Sequence, residues 1–276
     1  MTASKGYTAY AQHDAASIVV TTTAELSAAL KQLAAGSGGT ILLDGAGGPY
    51  DIIAFHLGSS ATPILIGPLD PDVPPVIHEM KLTSSSYIAV TGMYFDGATT
   101  PKGPDIKVNG GRNVEIVGNT MHGTADGFLS EDGTATQGNS LASVRASSNM
   151  LFSDNTVSNY LHGFGVLDST GLIFTNNDVS QLQGDGFRGG GLNNAVISDN
   201  HMHDFLGSTQ TMNHSDMIQL WGTWTQSPNR DITISGNLLD AGNDAATQGI
   251  FIMNEWFSKA GSPAAGYFQN ISITDN

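Results

Sequence analysis

The sequence predicts an all-β solenoid: a right-handed parallel β-helix whose N-terminal end is closed by a capping α-helix. Three observations predict it. An asparagine recurs at Asn119, Asn155, Asn177, Asn200, Asn237 and Asn276, in steps of 36, 22, 23, 37 and 39 residues, so the base coil is about 22 residues and the longer steps carry inserted loops. Ahead of these positions run two apolar columns. One is Val90, Ile116, Phe152, Phe174, Ile197, Ile234 and Ile273; the other, two residues earlier, is Ile88, Val114, Met150, Leu172, Ala195, Ile232 and Ile271. The position between the columns varies, which is the period-two signature of a strand with one buried face. A second strand follows in five coils, starting at Asp126, His162, Asp185, Asp216 and Gln248, with Phe128, Phe164, Phe187, Ile218 and Ile250 as its apolar column. A coil this short cannot bury its apolar face alone, so the coils must stack.

The elements follow in order. Residues 1–40 form an N-terminal segment and cap. Ile18-Val19-Val20 reads as a short strand. A helix opens at Thr23 and runs to about Ala35, with Leu26, Leu30 and Leu33 on one face and Thr22 or Thr23 as its N-cap. Gly36-Ser37-Gly38-Gly39 ends it. Such a helix covers the first coil, which would otherwise expose its core and strand edges. Residues 41–276 are the β-helix. Thr40 to Leu43, Ile64 to Ile66 and Val76-Ile77 are strands, and the proline cluster from Pro68 to Pro75 is a loop. From Tyr87 the repeat becomes regular. The recurrent Asn reads as a ladder at a turn, because Asn tolerates the left-handed conformation and its side chain reaches the backbone of a neighbouring coil. The chain ends on the ladder residue Asn276 with no polar cap after it, so the expectation is either a fragment of a longer protein or a last coil covered by an additional C-terminal domain or a partner, such as the other copies of a homotrimer.

Composition excludes several classes. The formal charge is −15, from 10 Lys+Arg against 25 Asp+Glu. Nucleic acid and anionic membranes reward a basic surface, so neither is expected as a partner. There is no Cys, hence no disulfide framework. Met1-Thr2-Ala3-Ser4-Lys5 begins no apolar signal segment, and no apolar run reaches membrane-spanning length.

The repeat, with its paired apolar columns and ladder Asn, resembles the pectate-lyase-like superfamily of β-helix proteins over roughly residues 40–276. Within it the chain is similar to alginate-lyase and mannuronan C5-epimerase modules and to phage tailspike depolymerases. The Asp-Pro-His-Glu stretch of epimerase modules is absent, with His214-Ser215-Asp216 as a loose analogue, and there is no Gly-Asp-Gly start of the kind common in tailspikes. The resemblance implies a polysaccharide bound on the outer face of one parallel sheet, in a groove walled by inserted loops. It also implies an extracellular or virion-surface setting, here without a visible classical signal peptide.

Alternation then nominates the site. If Phe187, Ile218 and Ile250 face inward, Arg188, Gln219 and Phe251 face outward, followed by Trp221 and Glu255; Glu131 takes the corresponding place in the coil of Asp126. An indole covers a sugar ring and a guanidinium forks onto a carboxylate. At the strand starts, Asp185 and Asp216 fall in adjacent coils, where two carboxylates either raise one pKa or hold a Ca²⁺ between them. His162 beside Asp185 is expected to be held cationic or oriented. His214 and Asp216 lie at the end of the longest mid-chain insertion, Met202 to Asn213. His201-Met202-His203-Asp204 offers, with His214, a candidate transition-metal site, set against the plainer reading of surface histidines.

The expected activity is β-elimination on a uronate-containing polysaccharide. Arg188, or a Ca²⁺ on Asp185 and Asp216, would neutralise the carboxylate, and His214 would move the proton. Trp221, Gln219, Glu255, Glu131 and His162 would bind substrate. Glycoside hydrolysis by carboxylates of Asp185, Asp216 and Glu255 is the alternative enzyme, C5 epimerisation another. A non-catalytic glycan-binding adhesin or tail fibre is the third reading.

Overall fold

The structure is a computed structural model that describes residues 17–98, 105–126, 138–207, 215–223, 225–242, 246–255 and 266–276. Glu131, His214 and Phe128 lie outside the described residues.

The cap forms as its sequence dictates. The helix Thr23–Ala35 starts at Thr22, whose side chain accepts from the Glu25 amide at 3.2 Å while the Glu25 carboxylate accepts from the amides of Thr22 and Thr21. This reciprocal arrangement satisfies amides that the first turn cannot. Leu26, Ala29, Leu30 and Leu33 are buried against the strands beneath.

Every strand pairing below the cap is parallel. One sheet of ten strands takes the first strand of each coil, from Ser17–Val20 to Gln269–Thr274. The other strands form a second sheet in two rows. A short row of three-residue strands, such as Asp178–Ser180 and His201–His203, follows the Asn turns. A long row contains Val76–Thr83, Ile106–Asn109, Ser140–Arg145, His162–Leu167, Phe187–Gly190, Ser215–Trp221 and Thr247–Ile252, in that spatial order. Val76–Thr83 pairs with the short row near its start and the long row further on, and so joins the two.

The core is a set of in-register columns. Val90, Ile116, Phe152, Phe174, Ile197 and Ile234 stack in successive coils and are each fully buried. Ile273 continues the column opposite Ile234 yet is 45% exposed, because among the described residues no coil is stacked beyond it. Aromatic rings bridge the two sheets: Phe164 meets Phe152 and Phe174 edge-on at 5.2 and 4.9 Å, and Phe174 meets Phe187 at 5.1 Å.

The Asn ladder is present and more specific than expected. The side-chain amide of each Asn donates to the carbonyl oxygen of the next, at 3.2 Å (Asn119 to Asn155), 2.9 Å (Asn155 to Asn177), 2.9 Å (Asn177 to Asn200), 2.8 Å (Asn200 to Asn237) and 2.6 Å (Asn237 to Asn276). The left-handed residue is not the Asn itself but the one before it: Gly118, Asp154, Asn176, Asp199, Gly236 and Asp275 have φ of 55–67°. That reversal turns the Asn side chain inward, where it is bonded on both sides.

The register corrects one alignment. The strand stacked on His162–Leu167 is Ser140–Arg145, with Ala142 opposite Phe164, and not the stretch beginning at Asp126. No helix of the described residues is long and apolar enough to cross a membrane.

Candidate functional site on the outer sheet face

Alternation along Phe187–Gly190 and Ser215–Trp221 sets the site. Phe187 and Ile218 are inward and opposite each other, so Arg188 pairs with Gln219 and Gly190 with Trp221 on the outer face. Gly190 is needed here. A Cβ at this position would lie 3.0 Å from the Trp221 Nε1, so its absence leaves room for the indole over the sheet. Glycines on either side of Asp185 do the same for the strand start: a Cβ on Gly186 would meet the Met217 carbonyl at 2.6 Å.

Arg188 is the centre. Its Nε donates to Gln219 Oε1 at 3.2 Å and lies 2.8 Å from Asp185 Oδ2 in an ion pair. Gln219 in turn donates from Nε2 to Asp216 Oδ2 at 2.7 Å, and the Asp216 amide donates to Asp185 Oδ1 at 3.0 Å. The guanidinium carbon sits 4.8 Å from the centroid of the Trp221 ring. Arg188 makes no other bond to the described residues, so its Nη groups donate to none of them.

The other candidates take definite places. Asp185 and Asp216 are neighbours, as expected, but are only 3% and 0% exposed, and donors from Arg188, Gln219 and the Asp216 backbone engage three of their four carboxylate oxygens. Gln219, outward by alternation, is 6% exposed because it is built into this network. Glu255 accepts from the Gly222 amide at 2.6 Å, which ties it to the end of the Trp221 strand. His162 is oriented rather than cationic. Its Nδ1 accepts from the Asp185 amide at 3.0 Å, and burial, followed by the nearby Arg188 charge, lowers its pKa to about 4. Its approach to Asp185 Oδ2 at 3.6 Å is therefore contact with a neutral ring, not an ion pair.

The register adds residues that sequence reasoning missed. Lys81, Lys107, Ser143, Gly165, Arg188, Gln219 and Phe251 form one outward row, with Arg145 two residues further along its own strand. Four of the 10 basic residues thus lie on one sheet face of a chain with net charge −15. Lys81 pairs with Glu79 at 2.5 Å and Arg145 with Asp168 at 3.5 Å, whereas Lys107 has no ionic partner among the described residues. The signal is the position just after an inward residue, as in Ile106-Lys107, on strands that the Asn repeat does not mark.

Among the described residues, one group of three His or carboxylate side chains brings its ligand atoms together: Asp178, His201 and His203, on the short row. It includes the two histidines nominated from sequence, together with Asp178; His214 lies outside the described residues.

No curated protein matches the chain by sequence. Solved structures similar to it include the following three. An alginate lyase from Paenibacillus sp. is 13% identical, with a TM-score of 0.46, covering 86% of this chain and 98% of that one. An endo-xylogalacturonan hydrolase from Aspergillus tubingensis is 14% identical, with a TM-score of 0.32, covering 94% and 92%. A tailspike protein mutant of E. coli bacteriophage HK620 in complex with a pentasaccharide is 12% identical, with a TM-score of 0.34, covering 83% and 61%. Residues 139–260 match the family described as "Right handed beta helix region", and with its stacked parallel coils the chain is a right-handed parallel β-helix.

Proposed function

We propose that this protein binds an acidic, uronate-containing polysaccharide along the outer face of the long strand row and cleaves it by β-elimination near Arg188. The observation that carries this reading is the state of Arg188. Its Nε is held by Asp185 and Gln219, its face is covered by Trp221, and its Nη groups donate to no described residue. A guanidinium fixed in this way offers a planar fork to a carboxylate while the indole packs on a sugar ring. Lys81, Lys107 and Arg145 extend the positive face along the solenoid axis, at about 4.8 Å per coil.

In β-elimination the uronate carboxylate must be neutralised so that the C5 proton becomes acidic, a base must take that proton, and the leaving oxygen must be protonated. Arg188 would provide the first. Asp185 and Asp216 would serve as positioning residues, holding Arg188 and Gln219. His162 is a poor base, because its Nδ1 lone pair is already used and its pKa is about 4; its Nε2–H is a donor for a sugar oxygen. His214, two residues before Asp216, is assigned the proton transfer. The network favours this over paired-carboxylate hydrolysis, since Asp185 and Asp216 are buried and held by protein donors.

The test is incubation with uronate and neutral polysaccharides, with and without Ca²⁺, following the absorbance of unsaturated uronate and reducing ends together. A joint rise on a uronate polymer is expected. Reducing ends without absorbance would make it a hydrolase. Binding without either product would leave epimerisation, checked by the uronate composition of the recovered polymer, or a glycan-binding scaffold. An effect of Ca²⁺ on turnover that Asp216→Asn abolishes would assign the cation to Asp185 and Asp216.

A further inference from the structure

We propose that Asp178, His201 and His203 form a binding site for a divalent transition metal of the zinc class, clamping two successive coils. The site lies on the short strand row and uses none of the residues assigned to sugar binding. Asp178–Ser180 and His201–His203 pair in parallel, with Asp178 directly opposite His201 and Ser180 opposite His203. Met202 is fully buried, so the histidines on either side of it both face outward. Their rings stack at 4.2 Å and 18°.

The distances fit a metal. Asp178 turns one oxygen to each ring: Oδ2 is 3.3 Å from His201 Nδ1, and Oδ1 is 3.3 Å from His203 Nε2. Two ligands each about 2.0–2.1 Å from a tetrahedral ion stand about 3.4 Å apart. The outer support is also present. His203 Nδ1 lies 2.7 Å from Asp204 Oδ2, which fixes the ring so that Nε2 faces Asp178, the carboxylate–histidine arrangement that orients metal ligands. Asp204 reaches back to the preceding residue because its backbone is left-handed, with φ of 50°. Each ring therefore aims a nitrogen at the same carboxylate, and a tilt of the two rings out of their stack brings all three groups onto a single divalent ion. Two imidazoles with one carboxylate suit Zn²⁺ and its neighbours, whereas Ca²⁺ and Mg²⁺ require oxygen ligands. His201 and Asp178 are 42% and 48% exposed at the side chain, which leaves the remaining coordination to water.

The experiment is calorimetric titration of chelator-treated protein with Zn²⁺ at neutral pH, with thermal melts beside it. One equivalent of Zn²⁺ should bind saturably and raise the melting temperature. The H201A/H203A variant should lose that binding about 100-fold or more, and D204N should weaken it about 10-fold through loss of ring orientation. Should the double variant fold poorly, imidazole nitrogen NMR of the wild type replaces it: Zn²⁺ must shift His201 and His203 and leave His122 unchanged. No saturable binding by the wild type, unaltered binding in a folded H201A/H203A variant, or metal shifts confined to other histidines would overturn the assignment.

Discussion

The guanidinium carbon of Arg188 sits over the Trp221 ring, 4.8 Å from its centroid, while its Nε forms an ion pair with the 3%-exposed Asp185. This arrangement changes which variant tests it. Removing Arg188 altogether leaves a buried carboxylate without its cation, which costs about 3–5 kcal/mol. Arg188→Lys keeps the charge and removes the planar fork. We expect Arg188→Lys to fold and to lower turnover on the uronate polymer by about 10². Wild-type turnover in Arg188→Lys would show that the fork has no part in the reaction.

Trp221 should act on binding. Under the proposed function the indole would add ring-face contact to substrate besides covering Arg188, contributions of about 0.5–2 kcal/mol each. Trp221→Ala is expected to raise KM by about tenfold or more with a smaller change in kcat. Gly190→Ala should mimic it in part, because the new methyl meets the indole and Thr225. A variant that loses kcat with KM unchanged would place Trp221 in the chemical step instead.

The Asn ladder predicts a stability effect. Asn177 donates to Asn200 Oδ1, Phe152 O and Thr175 O, and its Oδ1 accepts from the backbone and side-chain amides of Asn155. All of these groups are buried, so Asn177→Ala leaves several polar atoms unsatisfied, at about 1–3 kcal/mol each before relaxation. Urea unfolding should show a loss of at least about 3 kcal/mol. A loss below about 1 kcal/mol would mean that water replaces the side chain.

Phe174 tests the interior in the same way. It is fully buried and touches Phe164 and Phe187. Phe174→Ala should cost about 3–5 kcal/mol through lost burial and the cavity left behind, again read by urea unfolding.

Much of this was legible in the sequence because a solenoid repeats its physics once per coil. The column from Val90 to Ile234, the ladder Asn residues and the outward placing of Arg188 and Trp221 all follow from alternation plus repeat. Three things were not legible. Asp126-Gly127-Phe128 imitates the start of a second strand, but the strand in register is Ser140–Arg145, so the cations of the neighbouring coils stayed hidden. Outward parity also failed to predict exposure: Gln219 is buried by its bonds to Arg188 and Asp216, which depend on side-chain geometry rather than position. Finally, Asp178 meets His201 from the coil before, across 23 residues, and only the register reveals that partnership.

Glu115 stands between Ala89 and Leu151 on the outer face of the ten-stranded sheet, is 8% exposed, and its Oε2 has no hydrogen-bond partner among the described residues. Burial pushes its pKa up from 4.5 to about 7. The folded state therefore holds a proton that the unfolded state has already released between pH 4.5 and 7. Glu115 accordingly costs nothing in stability below about pH 4.5 and progressively destabilises the fold as pH rises to about 7. The full penalty is on the order of 3 kcal/mol. Glu115→Gln does not titrate, so its stability relative to wild type should be higher at pH 8 than at pH 4 by about that amount. Urea unfolding of both proteins at the two pH values measures the difference. An equal gap at both would show that the carboxylate is solvated and titrates as an ordinary surface group.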